Sequence, residues 1–387
     1  MVVLHHCLLV VPGLSAAYLP GGTVPPGLRW ATFSPLHLFW AGGEAVMVFF
    51  VLSGLVLTLA VERSARFRWR SYYPSRAVRL YLPVIASVLL ALALALLVPR
   101  GSGSGRSTWT ALHDSPPTLL GILGDMTLLP GTDYLNSPLW SLRWEVLFSL
   151  LLPLYVTIAR RSGRWWPLLG LVTIGASELG VLLDVAPITS MPVFMLGCLV
   201  GTRYDSISRR AASLREEHPR STAVLLVASA LGLTSAWWSQ PLLGAGSTAA
   251  SWPVVLVAAA LVVVLSVVSP TLARTLQSRA WAWLGTISFS LYLTHEPIVV
   301  TIALLLPPDA VGWTTLLALP LSLLAAQAFF ALVERPSHQL AAKVAAWVPQ
   351  AAPASGPTRP SLRARRSSRP STSASVMSPS TTKKPPR

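Results

Sequence analysis

The chain has 387 residues, 53% of them hydrophobic and only 11% charged, with a mean hydropathy of +0.59. A soluble domain carries about 25% charged residues, so this composition excludes an ordinary water-facing globule. The net charge of +16 would suit nucleic acid, but the cations sit in short loops between apolar runs. They do not form the basic stripe of a nucleic-acid footprint, so that partner is excluded as well.

In lipid every backbone polar group must be satisfied inside a helix or a closed barrel. The Leu/Val/Ala-rich runs are of a length, about 18–25 residues, that fits helices and not alternating barrel strands. The expected fold class is therefore all-α, a polytopic membrane protein with about ten transmembrane helices. In chain order the segments fall at about 1–19, 39–61, 80–98, 139–159, 165–183, 187–202, 221–238, 253–273, 281–305 and 313–333. The first run has the length and small residues of a signal peptide but lacks a basic start, and it reads as the first membrane helix. The stretch 118–130 is short and contains Asp125; it reads as an interfacial or re-entrant piece on the outer side. Cys7 and Cys198 both lie in apolar runs, with neither a disulfide framework nor metal spacing, so no metal is expected.

Charge fixes an orientation. With the N-terminus inside, 26 of the 30 Lys and Arg fall in the inner loops and the C-terminal region, while Arg29, Arg100 and Arg106 fall outside. That is the positive-inside pattern, and it makes both termini cytoplasmic. The membrane domain is expected to span 1–338, with a basic tail over 339–387. From about 350 onward the tail is Pro/Ser/Arg-rich, with eight Lys or Arg and no acid. Such a composition predicts disorder and suits contact with anionic lipid headgroups.

Polar side chains inside a bilayer are costly, and each calls for a reason. The candidates are His5, His6, Glu44, Arg143, Glu145, Glu178 and His295 with Glu296. Arg76 and Arg79, three apart, share one face at the start of a helix; they read either as positive-inside anchors or as a bidentate phosphate grip. Glu145 does not share a face with Arg143 and needs another partner. Pro297 frees carbonyls near His295, so this imidazole reads either as a structural donor or as a general base.

Several stretches together resemble the acyltransferase-3 family of membrane acyltransferases. They are MVVLHH at 1–6, EAVMVFFVLSGLVL at 44–57, PSRAVRLYLP at 74–83, PLWSLRWEVLF at 138–148, WLGTISFSLYLTHEP at 283–297 and Glu334-Arg335-Pro336. The likeness covers roughly 1–338. Members of that family carry a basic stretch ahead of the first helix, which implies a start upstream of Met1 or a shortened inner end. The resemblance implies an enzyme, an O-acyltransferase that binds no cofactor. Its donor is an acyl-CoA such as acetyl-CoA, and its acceptor a carbohydrate, glycolipid or other hydroxylated molecule. His6 matches the family's catalytic histidine, with His5 as the register alternative. Glu145 and His295 match its other catalytic positions, and Arg76 and Arg79 its donor-binding pair. Ser53 is the candidate for an acyl-enzyme, and Glu44 a further polar position. A transporter or flippase without transferase activity is the rival reading, and it predicts matched halves with broken helices.

Overall fold

The structure, a computed structural model, describes residues 1–19, 22–101, 105–129 and 135–348. The described residues form helices joined by short turns, with no strand. The chain is an all-α polytopic membrane protein. The expected tail lies almost wholly outside the described residues, and the last helix runs to Trp347, past the expected boundary at 338.

The longer helices are α1 (Val2–Leu9), α2 (Gly42–Glu62), α3 (Trp69–Leu97), α4 (Leu139–Arg161), α5 (Trp166–Leu182) and α6 (Ala186–Thr202). There follow α7 (Ser221–Leu233), α8 (Ser235–Leu243), α9 (Ser247–Val268), α10 (Arg279–Leu305), α11 (Thr314–Phe329) and α12 (Arg335–Trp347). Among the described residues seven helical runs are long and apolar enough to cross a membrane, or eight if the pair α7–α8, bent by 51°, is one span. The count of ten was approximate for physical reasons. The first segment breaks after Leu9, where Pro12 cannot continue the helix, and α6 has only 17 residues. The stretch near 118–130 forms a short helix, Leu119–Thr127, capped by the Thr118 hydroxyl and ended by Leu128 in the left-handed conformation. At the helical rise that is about 13 Å, too short to span.

The motif FFVLSG is explained by what each side of α2 meets. Phe50 is fully buried and stacks on Phe194 of α6, ring centroids 4.5 Å apart. Gly54 lets the two backbones touch: a Cβ there would stand 2.2 Å from the Phe194 carbonyl oxygen, and one on Gly197 would stand 2.0 Å from that of Val51. Small residues at such crossings are the usual device for close packing in lipid, where apolar burial alone gives no driving force. Phe49 and Ser53 point elsewhere, into the cavity described below.

In α10, Pro297 removes the amide that would have bonded Leu293. The Asn136 side chain donates to that carbonyl instead, at 3.0 Å. The C-terminal carbonyls of the same helix, those of Ala303, Leu304 and Leu306, are capped by the Arg106 guanidinium. The short turn Thr108–Ala111 follows, and its Trp109 packs on the cluster that holds Ile298, Val299 and Ile302 in the C-terminal half of α10. Between α11 and α12 the chain makes one π-turn over Phe330–Glu334, which leaves Glu334 buried.

Candidate functional site

Helix α1 carries two adjacent histidines, and residues next to each other on a helix diverge by about 100°. They reach different partners. His6 turns to α10, where its Nδ1 lies 2.8 Å from His295 Nε2, the two rings within 9° of parallel. His295 Nδ1 lies 2.8 Å from the Leu291 carbonyl. A carbonyl only accepts, so His295 carries its proton on Nδ1, and Nε2 of the neutral ring is an acceptor. His6 must then donate through Nδ1, which leaves its own Nε2 with the lone pair. No described residue bonds that nitrogen. A relay thus runs from His6 through His295 to a backbone carbonyl, and it presents one basic nitrogen, as a general base requires. The His6 ring also stacks on Trp109, centroids 5.4 Å apart.

The turn bearing Trp109 is held by a second network. His113 Nδ1 donates to the Trp109 carbonyl at 2.9 Å, and its Nε2 lies 3.2 Å from Glu296 Oε1. Ser137 donates to Glu296 through both its amide and its hydroxyl. Glu296 and His113 are both essentially inaccessible. Tyr292, one turn before His295, donates to the Pro138 carbonyl at 2.7 Å and meets the Ser141 hydroxyl at 2.6 Å.

His5 turns the other way, into a box of rings. Its Nδ1 donates to the Trp40 carbonyl at 3.0 Å and lies 3.3 Å from the Tyr18 hydroxyl. Tyr18 in turn donates to His37 Nε2 at 3.2 Å, and His37 Nδ1 donates to the Thr32 carbonyl at 3.1 Å. Burial pushes the His37 imidazole down to about 3, so it is neutral. Trp237 stacks on His37 with centroids 3.8 Å apart, and its indole N–H donates to Glu44 at 2.7 Å. Glu44 therefore belongs to this box. Gly42 leaves room for it, since a Cβ there would stand 2.5 Å from the His5 ring.

Arg76, Arg79, Glu145 and Ser53 meet elsewhere, around a cavity of about 270 Å³. Arg76 forms an ion pair with Glu145 and donates to Ser149 at 3.1 Å. Ser53 donates to the same Glu145 oxygen at 2.7 Å. The other carboxylate oxygen, Oε2, is buried without a hydrogen bond. Glu145 is thus brought to a guanidinium and not to an imidazole. The expected arginine pair is also unequal. Arg76 is committed to Glu145, whereas Arg79 is exposed and makes no ion pair among the described residues. Glu334, His338, Leu142 and Phe289 complete the wall, with Glu334 fixed by the amide and hydroxyl of Ser290.

A second pocket of about 210 Å³ shares Phe49, Leu142 and Phe289 with this cavity and adds Val2, Val46 and Tyr292. Val2 stands one helical turn from His6, and Tyr292 one turn from His295. Helix α2 serves as a ruler: Gly42 and Glu44 flank the ring box, Ala45 to Phe49 line the apolar pocket, and Phe49 to Leu57 line the arginine cavity. From Glu44 to Ser53 is about 14 Å at the helical rise.

The sequence named His6, His295, Arg76, Arg79, Glu145 and Ser53 but not their grouping. It missed Trp109 and His113, which lie in a polar loop without periodicity, and it gave Glu296 no role. The doublet of Glu296 with His295 beside Pro297 was the signal available. No group of three or more His, Cys, Asp or Glu suited to a metal ion occurs among the described residues, and Cys7 and Cys198 are free and buried.

Comparison with known proteins identifies the family. A family described as an acyltransferase domain matches residues 1–334. Acyltransferase MdmB of Streptomyces mycarofaciens is 27% identical over 286 residues, 68% of this chain and 70% of that protein. No solved structure matches. The chain belongs to this acyltransferase family.

Proposed function

We propose that this family member, a membrane acyltransferase, takes its acyl group from a cytoplasmic acyl-CoA, acetyl-CoA in the simplest case. It passes that group to a hydroxyl of a carbohydrate, glycolipid or related acceptor. The observation that carries the reading is the order of sites along α2: the arginine-lined cavity and the apolar pocket share Phe49, Leu142 and Phe289, and the pocket's Val2 and Tyr292 stand one helical turn from His6 and His295.

Each part has a role in that chemistry. Arg79 is the cation available to the donor's phosphates, at the end of α3 that positive-inside charge assigns to the cytoplasm. Arg76, already paired, shapes the wall. The unsatisfied Oε2 of Glu145 suits an amide N–H on a pantetheine arm, and an unmet buried acceptor is costly enough to select for such a partner. The apolar pocket accepts the slender arm and its thioester. His6 Nε2 removes the proton from the acceptor hydroxyl as its oxygen attacks the thioester carbonyl. The carbon–sulfur bond breaks, and the departing thiolate takes the proton back from the imidazolium. His295 fixes the His6 tautomer and steadies the imidazolium. A route through acylated Ser53 is not needed, since its hydroxyl already serves Glu145.

The test is transfer of labelled acetyl from acetyl-CoA by the purified chain in lipid nanodiscs. His6→Ala is expected to lower kcat by about 10²–10⁴-fold, the usual worth of a general base, with donor KM unchanged. Arg79→Ala is expected to raise donor KM instead. Full activity in the His6 variant would refute the assignment.

A further inference from the structure

A general base becomes a cation when it acts. On taking the acceptor's proton His6 turns into an imidazolium, at a position only 9% exposed. A buried cation is costly unless something answers its charge. The usual answer is a carboxylate on the far ring nitrogen. Here His295 takes that place, a neutral ring that offers a lone pair and no charge. The histidine ion pairs among the described residues are His113 with Glu296 and His338 with Glu334, so neither His6 nor His295 has one.

In the plane of the His6 ring both nitrogens have a task, Nδ1 toward His295 and Nε2 toward the acceptor. The face of the ring is left, and Trp109 lies against it. The two rings are 14° from parallel, with centroids 5.4 Å apart. An indole face attracts a cation within about 6 Å of its centroid more strongly than any other side-chain ring. The attraction is far weaker for a neutral imidazole, so it favours the transition state over the resting enzyme.

A four-residue helical turn such as Thr108–Ala111 does not hold its own shape. The hold comes from α10. His113 donates from Nδ1 to the Trp109 carbonyl and packs on the indole, ring centroids 4.6 Å apart. With Nδ1 so used, its Nε2 shares a proton with Glu296, and the pair is neutral overall. Ser137 secures the same carboxylate with its amide and its hydroxyl. Two consecutive residues of α10, His295 and Glu296, thus supply the partner of His6 and the anchor of the indole stacked on it.

We propose that Trp109 is a positioning residue for acyl transfer, its indole face steadying the His6 imidazolium, and that the Glu296–His113 pair holds the indole there. The proposal rests on the acyltransferase reading above and deepens it, since it names the group that stands in for a triad carboxylate.

The test uses the full chain in lipid nanodiscs and single-turnover transfer of labelled acetyl from acetyl-CoA to octyl β-D-glucoside, which reads the chemical step. Tryptophan with one, two or three ring fluorines is installed at position 109 by nonsense suppression. Fluorine draws charge from the ring face and barely alters its shape. The rate is expected to fall about twofold per fluorine, and about tenfold in Trp109→Leu. The acetyl-CoA concentration for half-maximal rate should not change. A purely packing role would leave the fluorinated chains alike, so a rate independent of fluorine count overturns the proposal. In a second arm, Glu296→Ala should slow the parent chain about tenfold and add nothing in the Trp109→Leu chain, because it acts through the indole. Glu296→Gln, which can still bond both neighbours, should recover most of the loss. A full further loss in the double variant would overturn the anchoring role. No transfer by the unmodified chain would sink the acyltransferase reading and this proposal with it; transfer that ignores the fluorines would sink the proposal alone.

Discussion

At one end of α2 imidazoles and a phenol are joined by directional hydrogen bonds; at the other a guanidinium and a carboxylate form an ion pair beside a second guanidinium. The histidine end has His6, His295, His5, Tyr18 and His37, each bonded through at least one polar atom to a ring nitrogen, a hydroxyl or a carbonyl. The arginine end has Arg76 paired with Glu145, and Arg79 beside it unpaired. The two designs suit different tasks. A base must keep a lone pair at neutral pH, which a tautomer chain guarantees, whereas a grip on phosphate must keep its charge, which a partly open cavity permits.

The comparison can be sharpened by breaking each end in turn. The largest effect on stability is expected at the arginine end. Arg76→Ala strands Glu145, which is 1% exposed, and should cost about 3–5 kcal/mol, as for other broken buried pairs. Glu145→Gln should cost less, because Arg76 can turn toward the cavity. The double variant should recover part of the loss, and thermal unfolding of all three in nanodiscs measures this coupling. If the two single variants are equally mild, the pair is not a buried unit.

A smaller effect in free energy, read in rate and not in stability, is expected at the histidine end. His295→Ala removes the acceptor that orients His6 and should lower kcat about a hundredfold, the order expected for a misplaced reacting group. Donor KM should hold. A shift in donor KM without loss of kcat would put His295 with the donor instead.

The smallest effect concerns pH. Burial holds His37 at about 3 in the folded chain, against about 6.5 when unfolded. The unfolded state therefore binds the proton first as pH falls, and folding loses stability through the window below about 6.5. Between pH 7 and pH 5 this one group should cost about 2 kcal/mol. His37→Gln should flatten that part of the melting curve; an unchanged slope would mean that His37 does not stay neutral.

Much of this was legible in the sequence, for identifiable reasons. Membrane helices announce themselves because lipid leaves no alternative to apolar runs, and the FFVLSG, Arg76/Arg79 and SLYLTHEP stretches carried the family resemblance. What the chain could not reveal was pairing across it. Nothing near Arg76 says that its partner is Glu145, 69 positions away. His5 and His6 are indistinguishable until α1 is docked, when one faces Trp40 and the other His295. One of the two readings of His295, donor to a carbonyl freed by Pro297, is filled at Leu293 by Asn136, a residue with no pattern of its own. Helix lengths were misjudged where proline or bending intervenes, as in the first segment and at α7–α8.

The central claim is that one passage joins the arginine cavity to His6. It is tested most directly by a cryo-EM structure of the chain in nanodiscs with a non-transferable thioether analogue of acetyl-CoA. The expected density runs from phosphates at Arg79, past Glu145 and between Phe49 and Phe289, to a sulfur near His6 Nε2. An analogue bound with its sulfur away from α1, or on a face of the helices that excludes Arg79, would contradict the account.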